Sequence, residues 1–158
     1  MNMENEVMSN RKVIVFQLGN EEYAVSVLQV GSIERMIPIT RVPQTANFVK
    51  GVINLRGVVT PIIDLRLRFG MEESAFNEST RIIIVYVDDM EVGLIVDAAN
   101  DVIDIPESEI EPAPEVIGSV DADYIEGVAK LETRLLILLD LQSVLTEDEI
   151  HELKSVEG

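Results

Sequence analysis

Short apolar runs separated by turn residues recur along the chain, and they predict β-strands joined by tight turns. Three such runs occupy residues 13–16, 82–85 and 135–138. Gly19 with Asn20, and Asp88 with Asp89, follow the first two runs and supply turn chemistry. A second apolar segment comes after each turn, at residues 23–30 and 92–96. The pattern therefore predicts β-hairpins and an all-β protein.

The chain also repeats itself. Residues 48–69 align with residues 124–145 over 22 positions without a gap, and residues 12–27 align with residues 81–96. The first alignment has an offset of 76 and matches Gly51 with Gly127 and Asp64 with Asp140. The second alignment has an offset of 69. The two offsets differ because the second copy contains a longer, Pro-rich acidic loop between its two aligned segments. Repeats of this kind indicate two similar structural units.

The repeat predicts two β-subdomains, at residues 11–69 and 81–145, with a linker at 70–80. Each copy offers about five short strands, which suits a small barrel because closure removes exposed sheet edges. The polar residues 1–10 are expected to be a flexible N-terminus, and residues 146–158 a C-terminal helix and tail.

Capping residues mark the predicted helices. Asp64 and Asp140 each end a strand before a short Leu-containing turn, so both are interpreted as helix N-caps. Thr146 and Glu149 form a capping box at the start of the C-terminal helix. The apolar stripe expected to dock this helix consists of Ile150 and Leu153.

Charge is distributed unevenly over the 158 residues. The net charge is −17, and residues 82–158 carry all of it, because residues 1–81 contain nine basic and nine acidic side chains. Such a charge argues against nucleic acid and anionic membranes as partners. Two explanations stay open: a solubilising surface, or two halves that face different partners.

Neither a secretory signal nor a membrane span is evident, and Cys is absent, so a cytoplasmic protein without disulfides or a thiolate metal site is expected. The one histidine, His151, lies among acids on the terminal helix and is interpreted as a solvated residue. Residues 97–101 resemble half of a calcium loop but lack the later Gly and Glu. No catalytic residues, metal site or cofactor are therefore predicted.

Two features of the first copy suggest a binding surface. The turn from Asn54 to Gly57 carries Arg56, where the second copy has Glu132. Arg56 suits an interface, although the residues alone favour a solvated turn with a weak surface ion pair. Pro61 interrupts an apolar strand, which predicts an edge or bulged strand that either accepts a partner or resists aggregation.

These residues resemble a known family. The blocks VFQLGNEEYAV, ITRVP, FVKGVINLRGVVTPIIDLR, VGLIVD and LLILLDL are similar to the CheW-like family of chemotaxis coupling proteins. The resemblance covers about residues 11–155. It implies two SH3-like five-stranded β-barrels with a short C-terminal helix. It also implies a non-enzymatic adaptor that couples chemoreceptors to the histidine kinase CheA, without cofactors.

The resemblance further implies where partners bind. The cytoplasmic tip of the receptor would lie in an apolar groove between the barrels, with Arg56 and Gly57 on the receptor-facing turn. Val30 and Ile33 match the V-x-x-I segment of the same surface, and Val102 would line the other side. The motifs identify no contact residues for the regulatory domain of CheA. The protein would be cytoplasmic and recruited to membrane-associated receptor arrays.

The chain departs from the family pattern at one position, and two functions other than the adaptor role are also considered. Many relatives carry Glu between the matched Val and Ile, whereas this chain has Ser32 there and Glu34 just beyond. A β-barrel binding module with another partner is the second hypothesis, and a carboxylate-dependent hydrolase the third. The early end of the chain after its helix favours a free adaptor over a module of the kinase itself.

Overall fold

Strands make up most of the computed structural model, which describes residues 10–113, 116–117 and 120–157. The strands are β1 Asn10–Leu18, β2 Glu21–Ser26, β3 Val30–Arg35, β4 Val49–Leu55, β5 Val58–Asp64, β6 Arg81–Val87, β7 Met90–Val96, β8 Ala98–Pro106, β9 Ile110–Glu111, β10 Val116–Ile117, β11 Val120–Asp121, β12 Ile125–Leu131 and β13 Arg134–Leu139. The helices are α1 Leu65–Arg68, α2 Leu141–Val144 and α3 Glu147–Glu157. Residues 1–9 of the predicted flexible N-terminus lie outside the described residues.

The strands form two larger sheets. One has six strands in the order β8-β1-β2-β13-β12-β9, and the other has five in the order β3-β6-β7-β5-β4. The prediction of a mainly β fold with a C-terminal helix is confirmed. Among the described strand pairs, however, no ladder joins the outer strands of either sheet, so the pairing leaves both sheets open.

Each sheet contains strands from both copies of the repeat. The hairpin β1–β2 of the first copy pairs with β8 and β13 of the second, and the hairpin β6–β7 of the second pairs with β3 and β5 of the first. The copies thus exchange their first hairpins reciprocally. The segments 11–69 and 81–145 therefore delimit the repeat but not the sheets, because β2–β13 and β5–β7 pair in parallel across the two copies.

Equivalent strands pair in the same register in the two sheets. Ile33 lies opposite Ile83 as Val102 lies opposite Ile14, at the offset of 69. The irregularities also correspond, since β3 bulges at Gly31 and β8 at the equivalent Asn100. Equal registers and equal bulges mean that the two sheets are copies of one backbone plan.

Three hydrophobic clusters fill the fold, and the largest lies between the sheets. Along β6, Ile83 and Val85 belong to this central cluster, while the alternate residues Ile82 and Ile84 belong to a smaller cluster on the other face of the five-stranded sheet. The six-stranded sheet likewise has a small cluster of its own. Alternation along a strand explains why each sheet has an apolar layer on both faces.

An aromatic row crosses the central cluster and ends on the partly buried Arg68. The rings of Phe16, Tyr23, Phe69 and Tyr124 follow one another with centroids 5.9, 6.0 and 5.3 Å apart. The guanidinium of Arg68 lies over Tyr124 at 5.1 Å, which adds a cation–π contact. The row therefore connects the sheets to α1.

Arg68 also ties α1 to the C-terminal segment. Its Nε donates to the carbonyl of Val144 at 2.7 Å, and its terminal nitrogens reach both carboxylate oxygens of Glu149 at 3.0 Å. A two-pronged arginine–carboxylate contact of this kind is stronger than an ordinary surface ion pair. α3 is thereby fixed against the sheets, where Leu153 is buried.

The predicted caps are confirmed. The Asp64 carboxylate accepts from the backbone N–H of Arg66 at 2.9 Å, and Asp140 accepts from that of Gln142 at 3.1 Å. The capping box is also present, because Thr146 and Glu149 exchange backbone-to-side-chain hydrogen bonds of 2.8 and 3.1 Å.

Two predicted strand features differ. Residues 23–30 do not form one strand, because a 3₁₀ turn at Val27–Gln29 separates β2 from β3. β5, which contains Pro61, is an inner strand rather than an edge. Pro61 is tolerated because its missing N–H costs no ladder hydrogen bond. Val52, its partner on β4, directs both backbone hydrogen bonds to Thr40, and the parallel ladder from β5 to β7 begins only at Ile62.

Tyr23→Phe should leave the fold intact and raise its free energy of unfolding by about 1 kcal/mol, because an unpaired buried polar group costs stability. Tyr23 is fully buried, and its hydroxyl has no hydrogen-bond partner among the described residues. Urea unfolding checks this, with Tyr124→Phe as the control for a half-buried tyrosine hydroxyl. A loss of stability in Tyr23→Phe would show that the hydroxyl is satisfied in solution.

Candidate partner-binding surface

The predicted receptor-facing turn is a tight hairpin with left-handed backbone. Arg56 has φ +52° and Gly57 has φ +87°, which is the pattern of a type I′ turn between β4 and β5. The Asn54 side chain accepts a 2.8 Å hydrogen bond from the backbone N–H of Gly57. A positive φ is uncommon for arginine and marks a position to examine for function. The equivalent turn, at Glu132 and Thr133, has no positive φ.

Arg56 projects into solvent, and its side chain is 70% exposed. Arg56 pairs with Glu34 on β3, and its terminal nitrogen lies 3.5 Å from the Glu34 carboxylate. An exposed pair at this distance is worth at most about 1 kcal/mol. The contact places the β4–β5 turn beside β3, the opposite outer strand of the sheet. The acidic residue beside Arg56 is therefore Glu34, and it does not stand at position 32, where many relatives carry Glu and this chain has Ser32.

β3 presents different side chains on its two faces. Ile33 pairs with Ile83, whose side chain belongs to the central cluster, yet Ile33 itself is 41% exposed. Val30 lies on the same face and packs against that cluster. Glu34 pairs with Ile82 on the other face. Ile33 thus lies at the margin of the central cluster, and the Arg56–Glu34 pair lies across β3 from it.

Val102 occupies the corresponding place in the six-stranded sheet. It lies on the outer strand β8 opposite Ile14, another residue of the central cluster, and is 55% exposed. Ile33 and Val102 are therefore equivalent under the repeat, and each leaves apolar surface open at the margin between the sheets. Buried side chains fill the space between the sheets, so the exposed apolar surface is confined to these margins.

We call Val30, Ile33, Glu34, Arg56, Gly57 and Val102 the candidate surface. The contact with Glu34 brings the Arg56 turn to β3, whereas Val102 belongs to the other sheet. The surface combines exposed aliphatic side chains with one arginine that a partner carboxylate can reach. Its chemistry is that of a protein interface.

Two more residues lie beside this surface: sequence reasoning missed Tyr86, and it noted Ser32 only as a departure from the family pattern. Tyr86 on β6 is 44% exposed and its hydroxyl lies next to Gly31. Ser32, the residue after the bulge, has a buried Oγ with no hydrogen-bond partner among the described residues. The repeat alignment carries a usable signal for Tyr86, because it matches this exposed aromatic with Gln17.

The matching region of the six-stranded sheet is closed by charge pairs. Arg134 donates to both carboxylate oxygens of Glu22 at 3.0 and 2.8 Å and to those of Asp101 at 3.0 and 2.9 Å. The hydrogen bonds from Arg134 hold the pKa values of Glu22 and Asp101 below their usual range. We call these three residues the Arg134 cluster.

Two aspartates flank a cavity of about 160 Å³ between α1 and the linker. Burial raises the pKa of Asp64, and the N–H groups that it caps only partly offset this. Burial would also raise the pKa of Asp97, but hydrogen bonds from Arg66 and the Gly19 N–H outweigh it, so this pKa is lowered. Asp64 acts as a helix cap and Asp97 as an ion-pair partner of Arg66.

Other chemistry finds little support in the part of the chain that the structure describes. No group of three or more His, Cys, Asp or Glu side chains there is placed to hold a metal ion. His151 is exposed on α3, as expected. No helix among the described residues is both long and apolar enough to cross a bilayer.

The fold and the surface define a class: a β-sheet protein whose exposed apolar margins and arginine turn suit protein binding. The chain belongs to the CheW-like domain family, whose model matches residues 12–149. It is 49% identical over 146 residues to the chemotaxis protein CheW of Bacillus subtilis (strain 168), covering 92% of this chain and 94% of that one. It is 38% identical to the chemotaxis protein CheW of Klebsiella aerogenes, covering 89% and 84%.

A solved structure agrees with the fold. The crystal structure of the scaffolding protein TtCheW from Thermoanaerobacter tengcongensis superposes with a TM-score of 0.82 at 37% identity. The match covers 88% of this chain and 94% of that one. The similarity thus extends over both sheets rather than one copy of the repeat.

Arg134→Gln should reduce stability near neutral pH by roughly 1 kcal/mol or less, because Arg134 pairs two partly exposed carboxylates. Since the folded pKa values of Glu22 and Asp101 are lowered, their contribution is present above their usual pKa of about 4 and is lost as the pH falls through the folded values. The difference from wild type should therefore shrink in acid.

Urea unfolding of both proteins between about pH 3 and pH 7 measures this dependence. Arg81→Gln is the control. This substitution removes the same charge, but the hydrogen bonds it removes go to the backbone carbonyls of Glu78 and Thr80 rather than to carboxylates. A difference between Arg134→Gln and wild type that stays constant over this range would contradict the assignment.

Proposed function

We propose that this chain is a non-enzymatic adaptor that couples the cytoplasmic tips of chemoreceptors to the regulatory domain of the histidine kinase CheA. The observation that carries the proposal is the left-handed Arg56–Gly57 turn, which exposes Arg56 beside the apolar margin at Ile33. The similarity to a chemotaxis protein and to a scaffolding protein supports the same role.

Receptor binding would use the candidate surface. A receptor tip made of two helices would bury Ile33 and Val102, while Arg56 would exchange Glu34 for a carboxylate of the receptor. Exchange is feasible because the Arg56–Glu34 contact is long and exposed, so breaking it costs little. The Arg56 contact would then set the register of the receptor.

Kinase binding would use another part of the protein, so that both partners bind at once. The acidic second half of the sequence is the favoured region, although no individual contact residue is assigned. An adaptor of this kind changes kinase activity only through different affinities for different kinase states. Recruitment to membrane-associated receptor arrays from the cytoplasm would follow from receptor binding and needs no membrane insertion.

Each sheet would curl into an SH3-like barrel. Two observations support this: each sheet encloses a small apolar cluster on its outer side, and the Arg56–Glu34 contact brings together opposite margins of the five-stranded sheet. An experimental structure with flat, separated outer strands would contradict the barrel form.

Arg56→Glu should lower affinity for a soluble receptor-tip fragment by about tenfold or more, because it replaces the exposed cation with a repelling charge. Affinity for the kinase regulatory domain and the melting temperature should stay near the wild-type values. Calorimetric titration against each partner measures both effects.

Lys130→Glu is the matched control for this experiment. Lys130 lies beside the equivalent turn of the second copy, is 69% exposed and undergoes the same charge reversal. It should leave receptor affinity nearly unchanged. If Arg56→Glu weakened binding to both partners, or clearly lowered the melting temperature, Arg56 would have a structural role instead. Failure of the wild-type protein to bind either partner would favour a β-barrel module with a different function.

Added salt should weaken the two complexes to different degrees. The first half of the sequence is neutral overall and the second half carries the −17 charge, so surfaces from the two halves respond differently to screening. Dissociation constants measured over a series of salt concentrations give one slope for each partner. Equal slopes would contradict the separation of the two binding regions.

A further inference from the structure

Tyr86 lies at the end of β6 and continues the row of Ile82 and Ile84, so its side chain is on the same face of the sheet. Ser32 and Glu34 pair with those two isoleucines and share this face. Because Glu34 contacts Arg56, Tyr86 belongs to the face that carries the Arg56–Glu34 pair. It therefore extends the candidate surface.

The β3 bulge makes room for Tyr86. A methyl group added at Gly31 would come within 2.8 Å of the Tyr86 hydroxyl oxygen, so the missing side chain at Gly31 allows the ring to lie there. Gly31 is the extra residue between Val30 and Ser32. The ring is thus held over the bulge with 44% of the residue exposed.

The repeat provides an internal comparison for this region. Gln17 and Asn100 occupy the positions equivalent to Tyr86 and Gly31 in the six-stranded sheet. Asn100 donates to Gln17 at 3.3 Å and to Glu22 at 2.9 Å, and the Arg134 cluster continues the network. That region is occupied by its own polar contacts.

The five-stranded sheet lacks this network. Where the Arg134 cluster has Asp101, Glu22 and Arg134, the five-stranded sheet has Ser32, Glu91 and Val58 at the equivalent positions. Val58 is 43% exposed, and the buried Ser32 Oγ has no partner among the described residues. The same backbone plan therefore ends in an exposed aromatic, an exposed aliphatic and an unpaired hydroxyl.

We propose that Tyr86 is a specificity-determining contact for the helical receptor tip, an inference that rests on the proposed function. Its ring would pack on an apolar side chain of the helix next to the residue that meets Arg56. Tyrosine suits this role, because it buries a large area and is enriched at interface hot spots. A second copy of this chain is disfavoured as the occupant, because two chains of net charge −17 repel each other.

The test compares Tyr86→Gln, which installs the residue of the equivalent position, with Leu135→Gln. Leu135 is the matched control, an apolar residue on β13 with a similar exposure of 47%. Calorimetric titration with a soluble receptor-tip fragment should show about tenfold weaker binding for Tyr86→Gln and less than a twofold change for Leu135→Gln. The melting temperature and kinase binding should be unchanged.

Gly31→Ala adds a coupling test, because the new methyl group must displace the Tyr86 ring. It should weaken receptor binding in the wild-type background and add little in the Tyr86→Gln background. Equal effects in both backgrounds would overturn the inference.

The failures of the two proposals are distinguishable. If the wild-type protein binds the fragment, Arg56→Glu loses binding and Tyr86→Gln stays within twofold, the adaptor role stands and Tyr86 has no part in it. A parallel loss of kinase binding and melting temperature in Tyr86→Gln would show a structural role instead. If the wild-type protein does not bind the fragment, both proposals fall.

Discussion

Two parallel ladders, between β5 and β7 and between β2 and β13, join the two copies of the repeat into shared sheets. Through these two ladders each copy of the repeat completes the sheet of the other. Neither copy can form its sheet alone, because the middle hairpin of each sheet comes from the opposite copy. The central cluster between the sheets is consequently shared, and the aromatic row with Arg68 connects it to the terminal helix. This arrangement holds the two outer strands of the candidate surface, β3 and β8, on a common core.

One backbone plan thus carries two different surfaces. In the six-stranded sheet Arg134 pairs with two carboxylates of the same chain, which leaves one net negative charge in the Arg134 cluster. In the five-stranded sheet the equivalent region exposes Tyr86 and Val58, and Arg56 stands on a strained turn nearby. Because the strand registers and bulges correspond, the difference arises from the side chains and from the backbone of the Arg56–Gly57 turn. The two sheets therefore present different chemistry to solvent at equivalent positions.

Local features of the fold could be predicted well. The N-caps Asp64 and Asp140 and the capping box at Thr146 depend on neighbours within three residues, so their chemistry is visible in the sequence. The candidate surface was predicted less completely. Arg56 came from a turn motif, but its neighbour Glu34 is 22 residues away and belongs to a different strand. No sequence motif marks Tyr86, because its place beside the candidate surface depends on its position over the bulge at Gly31, on a different strand.

Most strands, the tight turns, the caps, the internal repeat and the family resemblance could be identified from the amino-acid sequence, because they follow from short-range patterns or from self-similarity. The three-dimensional arrangement was needed to establish which hairpin completes which sheet, why Pro61 is tolerated in an inner strand, and which side chains share a face with Arg56. The physical reason is that a period of two assigns side chains to faces but does not identify the neighbouring strand. That choice is made by hydrogen bonds and packing between residues far apart in the chain.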